Sequence, residues 1–357
     1  MTPEQRQQRA VQAGIAAANE SPQEDDDPWL LLALLLWLRF RNKQESIADT
    51  VTRSSVRAWS VLDFNNLDDT SPAFLEAILP SIRYGWDRSQ QATVRFMDDY
   101  RTLVSLATGE TLPDRPRIIT ATRDARPDPQ LGSDRLNYLT APAFNPADTA
   151  RQMMLSGPYY VKHLMPAPEQ DAMGKGAVSV AGRAVKTAMD GGRTLVDAEV
   201  ARDRVAKGYQ RVTDGDPCPF CALLASRGPV FESGSFPGGK KFLAPTDFED
   251  ATGSNSAARV HDHCRCQIVP VYTSFAPVDP WGKVALSVWN TLGATDDVFT
   301  NAEKFKLYRR AYDSVKSAGV NPAVSSQAVV DATRQFTDSL DPSSFEGRFV
   351  RSLLAAA

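Results

Sequence analysis

The stretch that limits the fold most is one without a regular pattern. Between residues 212 and 275 the chain reads "GDP", "SRGP", "SGSFPGGKK" and "GSNS", turn-forming clusters among which no helix is expected. Short pieces of β character, Pro229 to Phe231 and Gln267 to Tyr272, lie between them. A loop-rich segment of about sixty residues buries too little apolar surface to hold itself together, and needs a metal, a disulfide or a neighbour. The chain has only four cysteines and three histidines. All four cysteines and two of the histidines fall in this segment. Cys218 and Cys221 stand in "DPCPFC", and His261, His263, Cys264 and Cys266 stand in "VHDHCRCQI".

The spacing suits a metal. Cys218-Pro-Phe-Cys221 has the spacing of a zinc knuckle, in which one tight turn delivers two thiolates to one ion. His261-x-x-Cys264 supplies the matching second spacing. Tetrahedral zinc takes four such ligands at roughly 2.0–2.3 Å. The first ligand set is Cys218, Cys221, His261 and Cys264, with Cys266 able to stand in for His261 or Cys264. His263 is expected to point away, because adjacent residues seldom share a face. Two disulfides between the pairs, or buried free thiols, are alternatives that spacing leaves open. A closed four-ligand zinc is structural and keeps no position for water. Asp262 reads as an acceptor behind the ligands or a solvated loop residue. Arg265, between Cys264 and Cys266, is placed to neutralise local negative charge.

Elsewhere the pattern is helical. The first twenty residues are Gln- and Ala-rich and read as a loose helix or frayed arm. In "SPQEDDDPW", Asp27 caps a helix and Pro28 fits its first turn, giving a helix to about Leu62. In the run after Asp69, Thr70 or Ser71 as caps, Phe74, Ile78, Ile82 and Trp86 recur at helical spacing. Pro80 is expected to kink or divide this element, and Gly109 to stop it. Residues 110–146, rich in Pro, Arg and Asp, read as an irregular connector. Helix resumes near Asn145 or Pro146, runs to about Leu164, and breaks at "PAPEQDAMGKG". A helix pair follows, with "DGG" at 190–192 between its halves.

The predicted organisation is therefore a helical body (1–109), a connector (110–146), a helical stem (147–211), the Cys/His module (212–275) and a tail of short helices (276–357). The fold class is mainly α with a small irregular α+β, zinc-knuckle-like module stapled by Cys and His.

At 42% hydrophobic and 23% charged, the composition supports an ordinary core. Four cysteines in 357 residues are too few for a disulfide-stapled secreted scaffold. The run Trp29 to Leu38 is shorter than the about 20 apolar residues a bilayer crossing needs. Acids at Glu24 to Asp27 precede it, where a signal peptide would carry positive charge. It reads as a buried helix, with a subunit-facing interaction helix as the alternative; no membrane partner is expected. A net charge of −3 gives no global basic excess, so DNA contact would have to be local. Arg183, Lys186, Arg193, Arg202, Arg204, Lys207 and Arg211 offer one candidate phosphate-binding face, against a mixed solvated helix surface.

"YQRVTDGDPCPFCALLASRGPVF" followed by "HDHCRCQIVPVY" resembles the MuF-like minor head proteins of tailed phages, also called head morphogenesis proteins. The closest likeness is to the branch from phages of actinobacteria, described as minor capsid protein or capsid maturation protease. The family's Cys-x-x-Cys pair and His-x-x-Cys-x-Cys cluster fall on Cys218, Cys221, His261, Cys264 and Cys266. The resemblance, specific over about residues 190–275, implies a low-copy virion protein made in the host cytoplasm. It would sit at the portal vertex of the head, with the portal protein and the major capsid or scaffold protein as partners and DNA as a further candidate. The chemistry favours a non-enzymatic role over the protease. Only His163 lies outside the cluster to serve as a base, and no Gly-x-Ser-x-Gly elbow or Asp-Thr/Ser-Gly pair is present. No catalytic residue is assigned, and a DNA-binding ejection protein is the third reading.

Overall fold

The structure is a computed structural model that describes residues 2–19, 27–113, 117–119, 138–200, 203, 205–206, 208–226, 228, 264–272, 277, 279–293, 301–320, 322 and 326–355. It is mainly α. In chain order the elements are α1 (Pro3–Asn19), α2 (Pro28–Trp59), α3 (Leu67–Thr108), β1 (Arg117–Ile119), β2 (Tyr138–Thr140), α4 (Pro146–Ser156), α5 (Pro158–Leu164), α6 (Glu169–Val200), β3 (Gly208–Val212), α7 (Pro219–Ala225), β4 (Gln267–Val271), α8 (Pro280–Gly293), α9 (Asn301–Ser317), α10 (Ser326–Ser339) and α11 (Phe345–Ala355). Strands β1 and β2 pair in parallel. Strands β3 and β4 pair antiparallel, with Gly208 opposite Val271 and Val212 opposite Gln267.

Three long helices, α2, α3 and α6, pack on one another. The start of α2 follows its local chemistry: the Asp27 carboxylate accepts the Trp29 N–H at 2.9 Å, and Pro28 occupies the first turn. The apolar run is buried all round. Leu32, Leu36, Trp37 and Phe40 join Phe96, Met97 and Tyr100 of α3 and Leu195 and Val196 of α6 in one core. Leu31, Leu34, Leu35 and Leu38 form a second cluster that Leu354 of α11 packs against. Helix α10 also lies on α2, with Phe336 edge-on to Trp29 at 5.1 Å. A helix that is apolar all round needs cover on every side, and the C-terminal helices supply it here. Further along, Ile47 and Val51 meet Phe74, Ile78 and Ile82 of α3 and Val180, Ala184 and Ala188 of α6.

A separate core joins the N-terminus to the tail. Ala10 and Ala18 of α1 pack with Val284 and Val288 of α8, with Tyr308, Tyr312 and Val315 of α9, and with Ala222 and Leu223 of α7. Helix α1 is thus packed, not a frayed arm.

Several expectations change. Helix α3 is not divided at Pro80. A helix-interior proline costs about 3 kcal/mol, but Ile78 and Ile82 beside it are fully buried, and each such side chain contributes about 1.5–3 kcal/mol. Asp69, Thr70 and Ser71 lie inside α3, which starts at Leu67 after a 3-10 turn at Phe64–Asn66. The "DGG" segment does not split a helix pair, because α6 is continuous from Glu169 to Val200. Its glycines let α6 press against α3. A Cβ on Gly191 would stand 2.5 Å from the Trp86 carbonyl oxygen, and one on Gly192 would stand 2.4 Å from Thr93 Oγ1. At this crossing Ser89 Oγ accepts the Gly192 N–H at 3.2 Å and donates to Gln44 Oε1 at 2.9 Å.

Among its described residues the unpatterned segment contains a short helix, α7, that its turn-rich sequence concealed. Cys218 is its cap and Pro219 its first residue. The helix expected from about Asn145 to Leu164 is interrupted at Gly157, between α4 and α5, and "EQDAMGKG" is the first part of α6 and not a break. Other expectations hold. Asn145 caps α4 through Asp148 N–H at 3.1 Å, and Gly109 ends α3 at φ 69°. Gln267–Val271 is a strand. Pro229 to Phe231 lies outside the described residues.

Candidate metal centre

The register of the β3–β4 pair builds the centre. Val212 lies opposite Gln267, so the chain leaving β3 and the chain entering β4 run side by side. Cys264 and Cys266 sit on the entering side. On the leaving side the chain turns through Pro217 into α7, and Cys218 Sγ accepts the Cys221 N–H at 3.3 Å. That bond caps α7 and sets Cys218 and Cys221 on one turn.

Cys221, Cys264 and Cys266 are 1%, 2% and 1% exposed, and Cys218, half-buried, packs against them with Phe220. Cys221 Sγ and Cys264 Sγ are 3.5 Å apart, and all three buried sulfurs lie within 4.8 Å of one another. Four sulfurs around a zinc at about 2.3 Å stand about 3.8 Å apart, so this buried triad can hold a metal ion. None of the four cysteines is in a disulfide. His261 and His263 lie outside the described residues, as does Asp262.

Two arginines complete the site. Arg193, from the C-terminal half of α6 and 1% exposed, donates from Nε to the Cys266 carbonyl at 2.9 Å. Its Nη2 donates to the Cys264 and Cys266 carbonyls at 2.8 and 2.7 Å. Its Nη1 meets Asp190 Oδ1 at 2.9 Å, and Asp190 also pairs with Lys186. Arg211, from β3 and 4% exposed, places Nη1 3.9 Å from Cys221 Sγ. Burial works against the Arg211 charge, but Cys221, Cys264 and Cys266 more than offset this and raise its pKa. The Cys264 thiol is held well below its usual range, first by hydrogen bonds from Cys221 and Cys266, then by Arg193 and Arg211. The Asp214 carboxyl is pushed up to about 6 by burial and by the charge of Cys264. The Cys221 thiol is pushed well above its usual range, first by its hydrogen bond with Cys218. The Cys266 thiol, although its bond with Cys221 lowers it, is raised by Cys264 and by burial, so Cys264 is the thiolate of the cluster.

These positions correct two readings of the sequence. Arg265, although between the cysteines, turns away and donates to Asp49 Oδ1 of α2 at 2.7 Å; the neutralising cations are Arg193 and Arg211. Neither of those belongs to a phosphate-binding face, since both are buried. Glu199 and Asp203, acids in the same stretch of chain, are buried too. Arg202, Arg204 and Lys207 lie outside the described residues. A signal for Arg193 was present: it interrupts an otherwise small and apolar strip, with Met189 and Val196 on the same buried face. His163 is exposed on α5, its Nδ1 2.7 Å from the Tyr159 carbonyl.

No helix among the described residues is long and apolar enough to cross a membrane. Neither the curated proteins nor the solved structures contain a match. A family model does match: residues 134–280 fit the family described as VG15 protein, which is phage-associated. The matched stretch takes in α4 to α7, strands β3 and β4, all four cysteines, Arg193 and Arg211. Over the part of the chain that builds the thiol centre, the protein is thus similar to a phage-associated family.

Proposed function

We propose that the chain is a minor head protein of a tailed phage, of MuF-like type. It acts at the portal vertex in procapsid assembly and in DNA packaging or ejection, without enzymatic activity. Its thiol centre holds a structural zinc. The observation that carries this reading is the convergence of "CPFC" and "CRC" into one buried centre, inside the stretch similar to a phage-associated family. The buried thiols are framed by backbone and arginine, the setting of a closed structural site and not of one that admits substrate. The portal protein is the proposed partner, with the major capsid or scaffold protein beside it.

The test is co-expression with the portal, scaffold and major capsid proteins of the same phage. The expected result is a chain that co-purifies with portal or procapsid and leaves the other proteins intact. Failure to bind any of them would overturn the head role. Cleavage of scaffold or capsid protein that depends on this chain would replace the non-enzymatic reading with a maturation protease.

A further inference from the structure

We propose that the centre is a four-thiolate zinc site in which Cys218, not His261, is the fourth ligand, and that the ion rivets two separate apolar cores together. The inference rests on the zinc reading above and is independent of the role at the portal.

Each half of the centre belongs to a different core. Cys221 is followed directly by Ala222 and Leu223, which pack with α1, α8 and α9. Three groups of α9 hold the same turn from outside: Tyr308 Oη donates to the Pro219 carbonyl at 2.8 Å, and Tyr312 Oη and Lys316 Nζ donate to the Pro217 carbonyl at 3.5 and 3.3 Å. Cys264 and Cys266 lead into Ile268 and Val269, which pack with α2, α3 and α6. Their carbonyls are held by Arg193 of α6. An ion bonded to both pairs of sulfurs therefore fixes the α1–α7–α8–α9 layer to the helical body. The chain itself already joins the halves through residues 212–218, from Val212 of the body core to the knuckle, and the ion would add a second, direct bond between them.

Position on the knuckle turn selects Cys218. Cys218 stands on that turn, its Sγ accepting the Cys221 N–H at 3.3 Å, and packs against the cluster of Cys221, Cys264 and Cys266. The buried cations at the centre are Arg193 and Arg211, and Asp214 is the carboxyl beside Cys264.

The test uses the full chain. Zinc content is measured for the parent protein, Cys218→Ser and His261→Ala, and the visible spectrum is recorded after cobalt replaces zinc. The expected result is one zinc per chain in the parent and in His261→Ala, a cobalt spectrum of four-thiolate type, and zinc affinity lowered about tenfold or more in Cys218→Ser. Zinc lost from His261→Ala but kept by Cys218→Ser would overturn the ligand assignment while leaving the zinc reading in place. A metal-free parent chain would end both. Hydrogen exchange before and after chelation reads the rivet. Amides of α1, α7, α8 and α9 should lose protection while those of α2, α3 and α6 keep theirs. Loss confined to the two cysteine turns would show that the ion joins nothing beyond them.

Discussion

Arg193→Met and Arg265→Met make the same chemical change at two arginines near the cysteines, and the structure predicts very different outcomes. Arg193 donates to the carbonyls of Cys264 and Cys266, whose residues are 2% and 1% exposed. Methionine fills much of the volume but leaves both acceptors without that donor. An orphaned buried acceptor costs about 1–3 kcal/mol, so the loss at two carbonyls is about 2–6 kcal/mol. Arg265 makes an ion pair with Asp49 in which the side chains are 33% and 52% exposed, and pairs of that kind contribute about 0–1 kcal/mol. Arg193→Lys separates charge from geometry, since an ammonium keeps the charge but not the planar fork that spans two carbonyls; its loss should fall between those of the parent and Arg193→Met. The assay is urea unfolding of the full chain followed by far-UV circular dichroism, with zinc held constant across variants. If Arg265→Met lowers the midpoint as much as Arg193→Met, Arg265 serves the thiolates and the reasoning from burial fails.

Three further outcomes follow from packing and ionisation. Gly191→Ala and Gly174→Ala lie on the same helix, and alanine favours a helix interior by about 1 kcal/mol over glycine. Gly174 has open space for a methyl group and should gain stability, whereas at Gly191 the Cβ meets a backbone carbonyl at 2.5 Å and the variant should lose stability in thermal melts; equal shifts would refute the close approach of α6 to α3. Burial raises the Asp279 pKa despite hydrogen bonds from Thr213 and Gly282. The folded chain therefore binds this proton more tightly than the unfolded chain, and the contribution to stability is greatest below the ordinary carboxylate value and falls as pH rises through the raised one. Asp279→Asn should flatten that decline in urea midpoints measured across acid to neutral pH, and parallel profiles for the two proteins would contradict it. Asn145→Ala removes the acceptor for Asp148 N–H at 3.1 Å and should cost about 1 kcal/mol, read as earlier loss of amide protection in α4.

Local chemistry made much of the fold readable. Asp27-Pro28, Asn145-Pro146 and Gly109 marked helix ends because capping is settled within a few residues. Cys218-Pro-Phe-Cys221 marked a tight turn for the same reason. Pro80 and "DGG" misled because each is a breaker in isolation. At Pro80 the burial of Ile78 and Ile82 outweighs the lost hydrogen bond, and at Gly191 the absent side chain is what lets two helices touch. Helix α7 was hidden because seven residues carry too little periodicity to read.

The sequence alone determined that four scarce thiols would crowd one poorly cored segment, and that a mainly helical chain would surround it. Tertiary structure decided which cations meet those thiols. Sequence distance pointed to Arg265, one residue from two cysteines, but the side chain at 265 faces α2 and the partners come from residues 193 and 211. Tertiary structure likewise decided what covers the leucines of α2, whose second face waits for a helix more than three hundred residues later. Side-chain direction depends on strand register and helix crossing, and both are set by contacts between residues far apart in the chain.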